Sequence, residues 1–177
     1  MIFLRSIILV ILIGITYLII GNVFKEKDIK IPDEAIRFRV LASSNSDYDQ
    51  SVKLKVKNEI ATELSVILKG VDDYSRADKI IKENVDILNK KVEKVLEYEN
   101  YQKGFELTYG MNYFPKKEFK GIEYEEGNYQ SLVITLGEGL GNNWWCVLFP
   151  PLCLIEAEES TKVEYKIFVK EIMDKYL

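Results

Sequence analysis

Ile36-Arg-Phe-Arg-Val-Leu-Ala-Ser-Ser-Asn-Ser-Asp-Tyr-Asp-Gln50 carries the first decision about the fold. Ile36, Phe38 and Val40 alternate with Arg37 and Arg39, so a strand with one buried and one polar face is expected over Ile36–Leu41. The turn formers Ser43–Ser46 end it. Ser46 followed three residues later by Asp49 resembles a capping box, which starts a helix near Asp47. Val52, Val56, Ile60, Leu64 and Ile67 make its apolar stripe, and Gly70 is a fitting stop after Lys69. A second helix starts at Asp72 or Asp73 and runs to Tyr98–Asn100 with Tyr74, Ala77, Ile81, Val85, Leu88, Val92 and Val95 on its stripe. That stripe suits a helix packed on a sheet as well as a short coiled coil.

Downstream the period changes to two. Phe105, Leu107 and Tyr109 alternate with Glu106 and Thr108; a short segment follows over Glu118–Tyr124, and Glu126-Gly127-Asn128 reads as a turn. Strands are expected over Tyr129–Leu136 and Trp144–Phe149, joined by a loop over Gly137–Asn143 and ended by Pro150-Pro151. Val163–Leu177 reads as a final amphipathic helix. The order predicts an α+β fold: an N-terminal apolar helix, then one domain over 33–177, its mainly antiparallel sheet packed by two long helices and a C-terminal helix. No internal repeat or low-complexity tract interrupts it.

The chain has 177 residues, a soft prior for one domain, with enough apolar content (47%) for a packed core. It contains no histidine, which excludes Ser-His-Asp and Cys-His catalytic units, zincin patterns and imidazole metal sites. An enzyme here would rely on carboxylates, Lys, Tyr, Cys or Ser-Lys. A formal charge of -4 argues against a strongly basic nucleic-acid binder.

Ser6 to Phe24 runs nineteen residues without a formal charge, after Arg5 and before the charged stretch Lys25–Asp28. This describes an export signal or a membrane anchor over 1–24, long enough to span a bilayer, followed by a linker over 25–32. Ile19-Ile20-Gly21 is the best available cleavage site, but its −3 residue is a bulky Ile. Cleaved signal and retained anchor both stay open, and either carries the rest of the chain across a membrane.

Cys146 and Cys153 flank a Pro-Pro turn in an exported domain. A disulfide, two buried thiols and redox chemistry are the alternatives. Two thiolates without histidine leave tetrahedral zinc half liganded, so no metal and no cofactor is expected. Gly137-Glu-Gly-Leu-Gly141 has neither dinucleotide nor Walker spacing and is expected to connect two strands. Glu138 at its centre is a carboxylate without a defined partner. Trp144 and Trp145 must point to opposite faces of a strand, so one enters the core and the other faces out or lies under another element. Exposed aromatics and Arg dominate interface energetics. Arg37 and Arg39, on the polar face of the first strand, are either an anchoring patch for an acidic partner or a solvated face.

Three blocks then become specific. Ile36-Arg-Phe-Arg-Val-Leu-Ala-Ser-Ser-Asn-Ser-Asp47 with Asp49-Gln50, Tyr109-Gly-Met-Asn-Tyr-Phe-Pro115, and Gly127-Asn-Tyr-Gln-Ser-Leu-Val-Ile-Thr-Leu-Gly-Glu-Gly-Leu-Gly-Asn-Asn-Trp-Trp-Cys-Val-Leu-Phe-Pro-Pro-Leu-Cys153 resemble the stage II sporulation protein R family. The resemblance spans about residues 30–155, nearly the whole exported domain. One departure is Ala42–Ser46, where the family usually runs Ala-Asn-Ser-Asp-Ser.

The resemblance implies a signal rather than an enzyme. Such proteins are exported from the forespore into the intermembrane space, where they activate a protease embedded in the mother-cell membrane. That protease then processes the pro-sigma-E precursor. The expected partners are this protease and, if the first segment is uncleaved, the membrane, but no nucleic acid. The residues expected to contact the protease are Trp144, Trp145, Arg37, Arg39, Asn45, Tyr113 and Glu138. The alternatives are a carboxylate-dependent cell-wall hydrolase using Glu138 and a partner such as Asp47, and a membrane-anchored structural protein.

Overall fold

The computed structural model describes residues 34–119, 122–152 and 169–175. The apolar segment 1–24, the linker 25–32, Cys153 and the first part of the expected C-terminal helix lie outside the described residues. Among the described residues no helix is long and apolar enough to cross a membrane.

The elements are β1 (Ile36–Leu41), α1 (Asp47–Ile67), α2 (Tyr74–Glu83), α3 (Val85–Tyr98), β2 (Phe105–Phe114), β3 (Lys117–Phe119), β4 (Ile122–Tyr124), β5 (Gly127–Leu136) and β6 (Asn143–Phe149). Residues 169–175 are helical. A four-stranded sheet has the order β2-β5-β1-β6, and β3-β4 form a separate ribbon. β1 runs parallel to β5 and antiparallel to β6, and β2 is antiparallel to β5. The fold is α+β with a mainly antiparallel sheet.

Alternation on β1 sorts the two faces. Ile36, Phe38 and Val40 join Val52, Val56, Ile60 and Leu64 of α1, Ala77 and Ile81 of α2, and Leu88, Val92 and Leu96 of α3 in the main core. The opposite face carries a second cluster of Ala35, Ile122, Tyr124, Val147, Leu152, Val169 and Ile172. The β3–β4 ribbon and the 169–175 helical segment supply much of that cover, so the sheet is buried on both sides.

The α1 start follows the capping expectation: Ser46 Oγ accepts from the Asp49 amide at 3.2 Å. The carboxylate does not close the box, because it turns to Ser44 and Lys103. The Ser46 amide donates instead to Ser44 Oγ, at 3.2 Å. Asp73, rather than Asp72, caps α2 by accepting from the Arg76 amide at 3.1 Å.

Two expectations are corrected. The second long helix is two helices broken at Asn84, whose φ/ψ of -106/7 leave the helical region. Its side-chain amide donates to the Ile80 carbonyl at 2.8 Å, competing with the backbone for that acceptor. The apolar stripe still crosses the break, although Leu96 rather than Val95 is the buried residue at its end. The other is the turn at Glu126-Gly127-Asn128: β2 runs on past the alternating stretch 105–109. It pairs with β5 without interruption from Phe105↔Leu136 to Phe114↔Gly127, which places Gly127 and Asn128 in a strand rather than a turn.

Candidate functional site

β5 and β6 flank β1 and run in opposite directions, so the chain leaving Leu136 must cross the end of β1 to reach Asn143. The glycine loop 137–142 makes that crossing. The Gly141 amide donates to the Ala42 carbonyl at 2.8 Å. A Cβ on Gly141 would stand 2.2 Å from the Ser44 carbonyl oxygen, so only glycine lets the two backbones approach this closely. At Gly139 a φ of +68° and a Thr135 methyl 2.7 Å from an added Cβ argue for glycine again.

Side chains of the β1–α1 turn hold the loop. Asn45 Oδ1 accepts from the Asn142 amide at 2.6 Å. The Asn142 carbonyl accepts from Lys53 Nζ at 3.1 Å and Gln50 Nε2 at 3.4 Å. Gln50 also donates to the Ser44 carbonyl at 2.9 Å. Lys53 is only 6% exposed, and burial pushes its ammonium below the usual lysine range.

Asp49 anchors this turn. It is fully buried; its carboxylate accepts from Lys103 at 2.9 and 2.8 Å and from Ser44 Oγ at 2.5 Å. The Lys103 and Ser44 hydrogen bonds hold its carboxyl below the ordinary carboxylate range, and the same bond raises Lys103. Outward from this brace, Glu138 and Leu140 are exposed, Leu140 to 76%.

The tryptophans lie on opposite faces, as adjacent strand residues must. Trp144 meets Phe38 edge-on at 5.4 Å beside α1, with Lys57 Nζ 5.1 Å from its ring centroid. Trp145 lies under the β3–β4 ribbon, 4.6 Å from Tyr124 and 6.2 Å from Phe114. Both are half-buried. Arg37 corrects the expectation of a solvated or partner-facing side chain. It is 1% exposed, its guanidinium 3.3 Å from the Tyr129 ring centroid, because the ribbon and the helical segment cover this sheet face. Arg39 is half-buried; Nε and Nη2 donate to Asn143 at 3.1 and 3.0 Å when that amide is assigned with its oxygen toward the guanidinium.

Glu138 thus lies on the braced loop and Asn45 on the turn that holds it, while Arg37, Arg39 and Trp145 lie on the sheet face away from α1–α3. Tyr113 stands apart near the end of β2, 58% exposed, its hydroxyl 3.3 Å from Glu126 Oε2. Glu138 and Asp47 are both exposed, and no hydrogen bond or ion pair joins them among the described residues. Cys146 is half-buried and its Sγ donates to the Val147 carbonyl at 3.5 Å; its proposed disulfide partner Cys153 lies outside the described residues. Sequence reasoning missed Lys53, Lys103, Lys117 and Asn142 as site residues. Asn142 stood inside a quoted motif block; for Lys103, 54 positions from Asp49, local pattern held no signal.

The pattern of the family described as stage II sporulation protein R matches residues 32–159. The chain is also similar to the stage II sporulation protein R of Bacillus subtilis (strain 168), 32% identical over 140 residues, covering 79% of this chain and 62% of that relative. The match therefore spans under two thirds of the relative's own length. No solved structure matches.

Proposed function

The chain belongs to the stage II sporulation protein R family, and from that premise we propose that it is an exported intercellular signal acting by contact rather than by catalysis. It leaves the forespore, enters the intermembrane space, and binds a protease in the mother-cell membrane. Binding favours the protease's active arrangement, since a ligand shifts a two-state equilibrium only by its differential affinity for the two states. The protease then processes the pro-sigma-E precursor.

The observation that carries this reading is the braced crossing of loop 137–142 over β1. Two blocks of the resemblance, more than ninety positions apart, meet there through Asn45 and Asn142. Their backbones are locked while Leu140 and Glu138 point away from the brace, exposed. A loop ordered before binding loses less freedom on contact, which favours recognition. Leu140, Glu138 and Asn45 form the centre of the contact surface, with β6 beside it.

The test is precursor cleavage in a cell that makes only this protein, the membrane protease and the precursor. Cleavage should require this protein, and Leu140→Asp should silence it while export and folding persist. A wild-type protein that is exported but leaves the precursor intact would overturn the reading.

A further inference from the structure

On the sheet face away from α1–α3, two cations share one pair of rings. Arg39 Cζ lies 5.6 Å from the Phe114 centroid and Lys117 Nζ lies 5.2 Å from the Trp145 centroid. The two rings meet edge-on with centroids 6.2 Å apart. Arg37 sits deeper on the same pair, 5.2 Å from Phe114 and 5.9 Å from Trp145. Arg39 and Lys117 thus bring two positive charges to one pair of rings, in a chain whose formal charge is -4.

Several other lysines of the chain are ion-paired instead. Lys55 pairs with Glu99, Lys91 with Glu59 and Glu63, Lys103 with Asp49, and Lys116, next to Lys117 in sequence, with Glu123. Among the described residues Arg39 meets the neutral Asn143 amide, and neither Arg39 nor Lys117 has a carboxylate within ion-pair distance. Burial, and then the charge of Arg39, push Lys117 below the usual lysine range, and burial lowers Arg39 as well. An anion placed between them offsets the like-charge effect on Lys117 and gives both cations a partner. Arginine over aromatic rings is also the residue combination that dominates protein interfaces.

We propose that Arg39 and Lys117, backed by Phe114 and Trp145, form a seat for a carboxylate from an acidic segment of the partner protein. The proposal rests on the reading of the chain as a contact signal, and it extends the contact surface from the loop to the opposite sheet face. A protein carboxylate is favoured over a lipid phosphate because two ring-backed cations fall short of the larger Lys/Arg clusters that hold a protein to an anionic bilayer.

The test uses the full chain in the three-component cell. Lys117 is exposed, so Lys117→Glu should be exported and melt like wild type. It should reduce precursor cleavage about tenfold or more, the scale of one lost interfacial charge pair. Lys117→Arg should retain cleavage, and so should Lys116→Glu, which changes a neighbouring charge outside the seat. Suppressors of Lys117→Glu selected in the protease should replace an acidic residue by a neutral or basic one. Wild-type cleavage by Lys117→Glu, or an equal loss from Lys116→Glu, would overturn the seat while leaving the contact-signal reading intact. Lys117-dependent binding to phosphatidylglycerol vesicles with cleavage unchanged would assign the cations to lipid and overturn it as well. A silent wild-type protein would refute the signalling reading itself, and the seat with it.

Discussion

Arg37 shows how far one side chain can depart from its strand pattern. Its place opposite the apolar alternation of β1 marks a polar position, yet it is buried with its guanidinium against Tyr129. Its long stem packs like an apolar side chain, and stacked rings take the place of water around the cation. Arg37→Ala should therefore destabilise the fold by about 2–4 kcal/mol, as truncation of a large core side chain does, measured by urea unfolding. Asp49 gives a pH signature. Its folded carboxyl is depressed, so its contribution is complete above the unfolded carboxyl range near pH ~4 and is lost as pH falls through the lower folded value. Wild type should lose stability on acidification over that window, and Asp49→Asn should lose less; equal acid slopes would show that Asp49 does not titrate this way. Glu138→Gln keeps the side-chain shape at the contact and removes only its charge, so it should weaken signalling partly and leave it present. Complete loss in folded Glu138→Gln with Leu140→Asp still active would reopen hydrolysis.

The crossing of loop 137–142 over β1 belongs to the scale of elements. An added Cβ on Gly141 collides with backbone at Ser44, which cannot swing aside as a side-chain tip can. Gly141→Ala should lift the loop, cost about 1–3 kcal/mol, and reduce precursor cleavage. Gly70→Ala, with open space around the added Cβ, should cost only the strain of its φ of +73° and leave cleavage intact. On β6, each tryptophan fills a packed site on its own face. Trp144→Ala and Trp145→Ala should each destabilise the fold by about 3–5 kcal/mol, so silence in either variant reports lost structure as much as lost contact. Leu140, exposed at the crossing, separates the two effects.

At the scale of the whole molecule, the reading of residues 1–24 as an export segment predicts that they and the folded domain have separable roles. A chain lacking residues 1–24 and exported by an unrelated cleavable signal should drive precursor cleavage as well as the full chain; failure at equal export would make the first segment part of the signal. Period and punctuation along the chain were enough to place β1, the start of α1, the β5 and β6 strands and the glycine connection between them. Each is specified by neighbours within a few positions: alternation, an N-cap, a run of glycines. The blocks around Asn45 and Glu138 were also visible as motifs. The break at Asn84 was less so, because an asparagine in a continuous apolar stripe leaves the period unchanged while its amide takes a backbone acceptor. What only the tertiary structure decided is which polar residues are surface. Arg37 became core because a ribbon and a helical segment distant in sequence cover its face. Asp49 found Lys103, and Asn45 found Asn142, because the strand order β5-β1-β6 carries one loop across the end of β1. Local pattern reports the face on which a side chain stands; the layer that later covers that face is set by long-range packing, and no local pattern contains it.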